Sequence, residues 1–134
     1  MAFDVDARAV RRYAVGDGVV IVLFVVLGEL SHGANPLTIL GPMALTMSTF
    51  LFGWFTVATV SGAYGSGTLT GQRRAVGLPV VGWAFADAIA QVLRSTESFP
   101  GNADLSFYLV ALIFGGALLG FWRYIAFRIS QRSI

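Results

Sequence analysis

Long apolar runs alternate with short polar segments along this chain. Four runs, at 13–32, 42–63, 75–94 and 104–127, are each about 20 residues long, the length at which a helix crosses the hydrocarbon of a bilayer. The breaks between them carry helix stoppers: Gly33-Ala34-Asn35-Pro36, a glycine-rich stretch at 62–71, and a segment at 95–103 containing Pro100-Gly101. This pattern predicts an all-α, polytopic membrane protein, a single domain over 1–134 with four transmembrane helices.

Arginine placement orients the spans. Arg8, Arg11, Arg12, Arg73, Arg74, Arg128 and Arg132 fall on one side of the alternating runs, and Arg94 alone falls on the other. The positive-inside rule then puts both termini and the middle loop in the cytoplasm and the protein in the cell membrane. A cleaved leader is the competing view of the basic start and first run, but no small-x-small cleavage site follows it and three more spans do. Laying 11–24 over 73–85 with one residue skipped repeats Arg-Arg, Ala-Val-Gly, Val-Val and Phe. The overlay suggests two parallel helical-hairpin repeats; two valine-rich helices sharing a basic start by composition explain it equally well.

Polar positions inside the runs mark the faces. At about 100° per residue, Asp17, Phe24, Gly28, Ser31 and His32 share one side of the first helix, facing the bundle. Val19, Val22, Leu23, Val26, Leu27 and Leu30 cover the lipid side, with Glu29 near the boundary. In the third run Trp83, Asp87, Gln91 and Arg94 make a polar stripe that cannot face hydrocarbon. In the fourth, Tyr108, Leu112, Gly116, Leu119 and Arg123 form a face, and Gly116 with Gly120 is a small-xxx-small pair suited to close helix approach. The hydroxyls of the second run, Thr46, Ser48, Thr49, Thr56, Thr59 and Ser61, fit bonds to the preceding turn or a neighbouring helix. The tryptophans and tyrosines fit packing or interfacial anchoring better than ligand cages.

At about 1.5 Å per residue, Asp17 and Arg123 lie at the same depth, near the cytoplasmic boundary. They are expected to pair, as a structural latch whose members offset each other's desolvation. Glu29, His32 and Arg94 share the outer boundary by the same arithmetic, with Asp87 about 10 Å deeper than Arg94. Any proton handling belongs to this outer cluster.

Composition narrows the chemistry. The 134 residues are 56% hydrophobic, with a mean hydropathy of +0.74, too apolar for a soluble domain of this size. There is no cysteine, which removes disulfides, thiolate nucleophiles and thiolate metal sites. All nine basic residues are arginine, so no lysine can form a Schiff base with a cofactor, and the lysine-free composition suits a GC-rich genome. The net charge of +2 comes from membrane-flanking arginines and is no nucleic-acid footprint. No cofactor is expected.

Asp17, Phe24 and Gly28, then Ser31-His32-Gly33, then Thr49-Phe50-Leu51-Phe52-Gly53-Trp54 resemble an uncharacterised family of small four-helix integral membrane proteins. Val92-Leu93-Arg94, Ser106-Phe107, Val110-Ala111 and Trp122-Arg123 extend the likeness, which runs from about residue 15 to 124. That family, a domain of unknown function found in haloarchaea and actinobacteria, implies the fold and no activity. The chain departs from it at Thr49, where a proline is usual, and at Glu29, where a basic residue is usual.

The leading expectation for function is a structural or accessory subunit, its partners the lipid bilayer and another membrane protein or a second copy of itself. The alternative is a small proton- or ion-coupled transporter working as a homodimer, with Asp87 and His32 at its site and Gln91, Arg94 and Glu29 around them. Catalysis is not expected. Ser31 and His32 are adjacent and point about 100° apart on a helix, and Glu29 with His32 supplies two metal ligands where a site needs more.

Overall fold

Helices in this protein outrun the apolar spans that announce them. In a computed structural model, which describes residues 4–31, 33, 35–96 and 105–132, the elements are α1 (Ala7–Ser31), α2 (Leu40–Ser61), α3 (Gly67–Thr70), α4 (Gln72–Arg94) and α5 (Leu105–Arg132). A 3-10 turn at Pro36–Thr38 precedes α2, and α1, α2, α4 and α5 are each long and apolar enough to cross a membrane.

The helix ends show why hydropathy alone misplaces boundaries. Helix α1 starts at Ala7, about two turns before the apolar run, because Asp6 caps it: its carboxylate accepts the Arg8 N–H at 2.8 Å, and its carbonyl accepts the Val10 N–H at 3.0 Å. Helix α5 likewise runs past 127 to Arg132. Helix α2 passes through Thr49 and stops at Gly62, whose φ of +88° is a left-handed conformation that suits glycine. The glycine-rich stretch beyond it, read as an uninterrupted break, holds the single turn α3. Pro79 lies within α4, where it removes one backbone donor without ending the helix.

Helix α4 is the spine of the bundle, packed along α2 on one side and α5 on the other, while α1 closes the bundle against α5 and α2. Val19, Leu23, Leu27 and Leu30 on α1 are exposed on its outer face. At mid-bundle, Phe24, Phe50 and Trp83 form an aromatic layer. Phe24 stands edge-on to Phe50 and Trp83 at 5.3 and 5.6 Å between centroids, and Phe50 stacks on Trp83 at 5.6 Å. The Trp83 indole donates to the Ala111 carbonyl at 2.9 Å and lies so close to Gly115 that a Cβ there would enter the ring.

One end of the bundle gathers both termini and the 62–71 segment. Asp6 N–H bonds the Tyr64 carbonyl at 2.8 Å, Asp4 accepts the Ser66 N–H at 3.3 Å, and Gln131 donates to the Leu69 carbonyl at 3.1 Å. We refer to this as the terminal end and to the opposite one as the far end.

Candidate functional site

The aromatic layer separates two clusters of buried polar side chains. On the terminal side, Asp17 of α1 and Arg123 of α5 are both wholly buried and meet as a fork: Nε donates to Oδ1 at 2.9 Å and Nη2 to Oδ2 at 2.8 Å. The Trp122 indole adds a bond to Oδ1 at 2.9 Å, and the Tyr64 hydroxyl adds one to Oδ2 at 2.6 Å. Each carboxylate oxygen therefore accepts two donors, which fills its ordinary capacity. Arg123 spends its remaining reach on the Ala63 carbonyl at 2.9 Å, and its guanidinium carbon lies 4.1 Å from the centre of the Tyr13 ring.

The shell around this pair is itself satisfied. Tyr13 donates to the Thr68 carbonyl at 2.9 Å, and the Trp54 indole donates to the Tyr64 oxygen at 3.1 Å. Burial, followed by the Asp17 charge beside it, pushes the Tyr64 phenol well above its ordinary value, so it stays a donor across the physiological range. The cluster ties α1, α5, α2 and the segment before α3 together without exposing its ion pair.

On the far side the arrangement is sparser. Asp87, wholly buried one turn beyond Trp83, accepts a single hydrogen bond, from Gln91 Nε2 to Oδ1 at 3.1 Å. Its Oδ2 is buried with no hydrogen-bond partner among the described residues. Gln91 passes the chain of bonds on, its Oε1 accepting from Arg94 Nη1 at 3.3 Å. Arg94 is half-buried, its guanidinium carbon 4.4 Å from the centre of the Phe107 ring, and its Nε has no hydrogen-bond partner among the described residues. The stripe of α4 is thus a relay from a buried carboxylate to a cation at the rim of a cavity of about 280 Å³. Glu29 of α1, half-buried, lines the same cavity.

A family model described as "Protein of unknown function (DUF3054)" matches residues 14–126. The chain belongs to that family. Neither a curated protein nor a solved structure matches it. The matched region of this DUF3054 chain includes both clusters, from Asp17 through Asp87 and Arg94 to Arg123.

Asp87, Gln91 and Arg94 are therefore brought together, Glu29 joins Arg94 at the cavity, and Asp17 meets Arg123 at the other end. His32, the remaining candidate, lies outside the described residues. Tyr13, Trp54, Tyr64 and Trp122 escaped notice as members of the terminal cluster. The available signal for Trp122 was its place beside Arg123; Tyr64 lies in a turn, where helical spacing says nothing. The α2 hydroxyls mostly bond the preceding turn, with Thr46 on the Pro42 carbonyl at 3.2 Å, Thr49 on that of Thr46 at 2.7 Å and Thr59 on that of Phe55 at 2.6 Å. The Ser61 hydroxyl is buried with no partner among the described residues.

Proposed function

We propose that this DUF3054 chain is a small ion- or proton-coupled transporter of the cell membrane, its termini cytoplasmic and Asp87 its protonation site. The observation that carries the reading is the buried Asp87 carboxylate, one oxygen of which has no partner among the described residues. A carboxylate in a membrane helix is costly to keep charged and half-solvated, and a proton or bound cation relieves that cost. The bonds through Gln91 to Arg94 give the site a route toward the far-end cavity. The Asp17–Arg123 fork closes the terminal side. Closure at one end and a polar chain leading toward the other are features that one state of an alternating-access carrier requires. Arginines at the terminal end support its cytoplasmic placement. Working as a homodimer, two such chains would enclose a pathway that one is too small to form.

Asp87→Asn in reconstituted liposomes tests the reading. The variant is expected to fold and insert like the wild type, to lose any solute flux driven by an imposed pH gradient, and to lose a protonated-carboxyl band in acid-minus-neutral infrared difference spectra. Failure to fold, or an unchanged infrared band, would overturn it. A second reading, a non-enzymatic structural or accessory subunit, is favoured by the fully satisfied terminal cluster, which suits a rigid scaffold. A stoichiometric membrane partner recovered in gentle detergent, together with wild-type assembly by Asp87→Asn, would favour it.

A further inference from the structure

The far-end cavity has a composition that the transport reading does not use. Its floor is Phe24 and Phe50 of the aromatic layer, its waist is Gly28, and Arg94 and Glu29 supply its charges. Leu27, Val110 and Phe114, also in its wall, are each more than half exposed on membrane-spanning helices. The cavity therefore opens sideways, between α1 and α5, into hydrocarbon. At about 280 Å³ it is nearly twice the size of an apolar cavity of about 150 Å³ that stays dry and takes up benzene. An apolar groove of that size open to lipid offers a wall on which a lipid chain makes dispersion contacts.

The charged rim narrows the occupant. Among the described residues Arg94 Nε is buried with no hydrogen-bond partner, and Arg94 and Glu29 face the rim without closing an ion pair. One cation and one carboxylate, left apart beside an apolar slot, complement a headgroup that carries both signs. We infer that the cavity is a lateral binding site for one chain of a zwitterionic phospholipid. The headgroup phosphate meets the Arg94 guanidinium and its ammonium meets Glu29. Guanidinium–phosphate contacts are charge-assisted and geometrically selective, so the head sets the preference and the chain sets the depth. The site does not depend on whether Asp87 exchanges protons.

Gly28 offers a direct test, because a Cβ at that position meets nothing within 4 Å and a larger side chain can grow into the cavity. The full-length protein, purified in mild detergent, is loaded from mixed micelles of phosphatidylethanolamine and phosphatidylglycerol at equal concentration and weighed by native mass spectrometry. Wild type is expected to retain one phosphatidylethanolamine per chain, with about a tenfold preference over phosphatidylglycerol. Gly28→Phe is expected to lower retention by about tenfold at an unchanged melting temperature. Arg94→Gln is expected to erase the headgroup preference. Val110→Trp, at an exposed position of the wall, repeats the plugging from the opposite helix if Gly28→Phe fails to fold. Wild-type retention in the plugged variants would overturn the site, and equal retention of the two lipids by the wild type would overturn the headgroup assignment.

Discussion

Asp17 and Asp87 are both wholly buried carboxylates on membrane-spanning helices, yet their surroundings are opposites. Asp17 is held by donors from other elements: Arg123 and Trp122 of α5, and Tyr64 from the turn after α2. Among the described residues Asp87 has one donor, Gln91, a turn further along its own helix. A carboxylate solvated by other elements binds its charge to the tertiary structure, so removing either partner strands a charge in the core. A carboxylate solvated by its own helix leaves helix packing nearly independent of its protonation. The first arrangement suits a latch and the second suits a group that changes state.

The largest test of the contrast lies at the terminal end. Arg123→Ala leaves the Asp17 charge uncompensated and is expected to cost about 3–5 kcal/mol in reversible detergent unfolding. Asp17→Ala should cost a similar amount, and the double variant should cost less than the sum of the singles. Strictly additive losses would mean that the two residues do not act as a unit.

The aromatic layer comes next, since it keeps the two clusters apart. Gly115→Val drives a side chain into the Trp83 indole and should cost about 1–3 kcal/mol, with altered tryptophan emission. A Cβ on Gly116 would lie at an ordinary 3.7 Å from Trp83, so Gly116→Ala should stay within about 0.5 kcal/mol of wild type. Equal effects at the two positions would show that Trp83 does not rest where the layer requires.

Asp87→Asn carries the comparison to its other pole. The substitution keeps the oxygen that Gln91 reaches and removes a charge that lacks full solvation. Its effect on unfolding should therefore stay below about 1 kcal/mol. A loss as large as that of Arg123→Ala would make Asp87 a second latch and end the distinction.

What could be read from the chain follows the same division. The four spans and the buried stripe of α4 were legible because helical periodicity and membrane length leave few alternatives. On α1 Asp17 and Phe24 face inward as read, but Tyr13, Ile21 and Val25 are buried with them and Val26, assigned to lipid, packs against the core. The contact of Asp17 with Arg123 followed from depth on two antiparallel helices. Tyr64 and the Ala63 carbonyl were not legible, since a turn has no period from which a direction can be read. The small-xxx-small spacing selects Gly116 and Gly120, and a Cβ on Gly120 would indeed lie 3.0 Å from Val80 of α4; the tight approach of the Trp83 indole to Gly115 was not legible, since a side chain from another helix makes it. The early start of α1 was written in Asp6, a capping residue outside the apolar run.

That cap supplies the smallest effect and a control for the rest. Asp6 is partly buried, and hydrogen bonds from the Arg8 side chain and N–H hold its carboxyl below the ordinary value of 3.8. A depressed folded-state value means that the contribution is present above the ordinary one and is lost as pH falls through the lowered one. Acid should therefore fray the first turn of α1, seen as faster amide exchange around Arg8 to Val10. Asp6→Asn retains a capping side chain and should remove that acid dependence with little change at neutral pH. Any acid response that survives Asp6→Asn and vanishes on adding Asp87→Asn then belongs to the far-end carboxylate. A response that survives both substitutions lies with another carboxylate, and Asp87 would then not be the buried group that changes state.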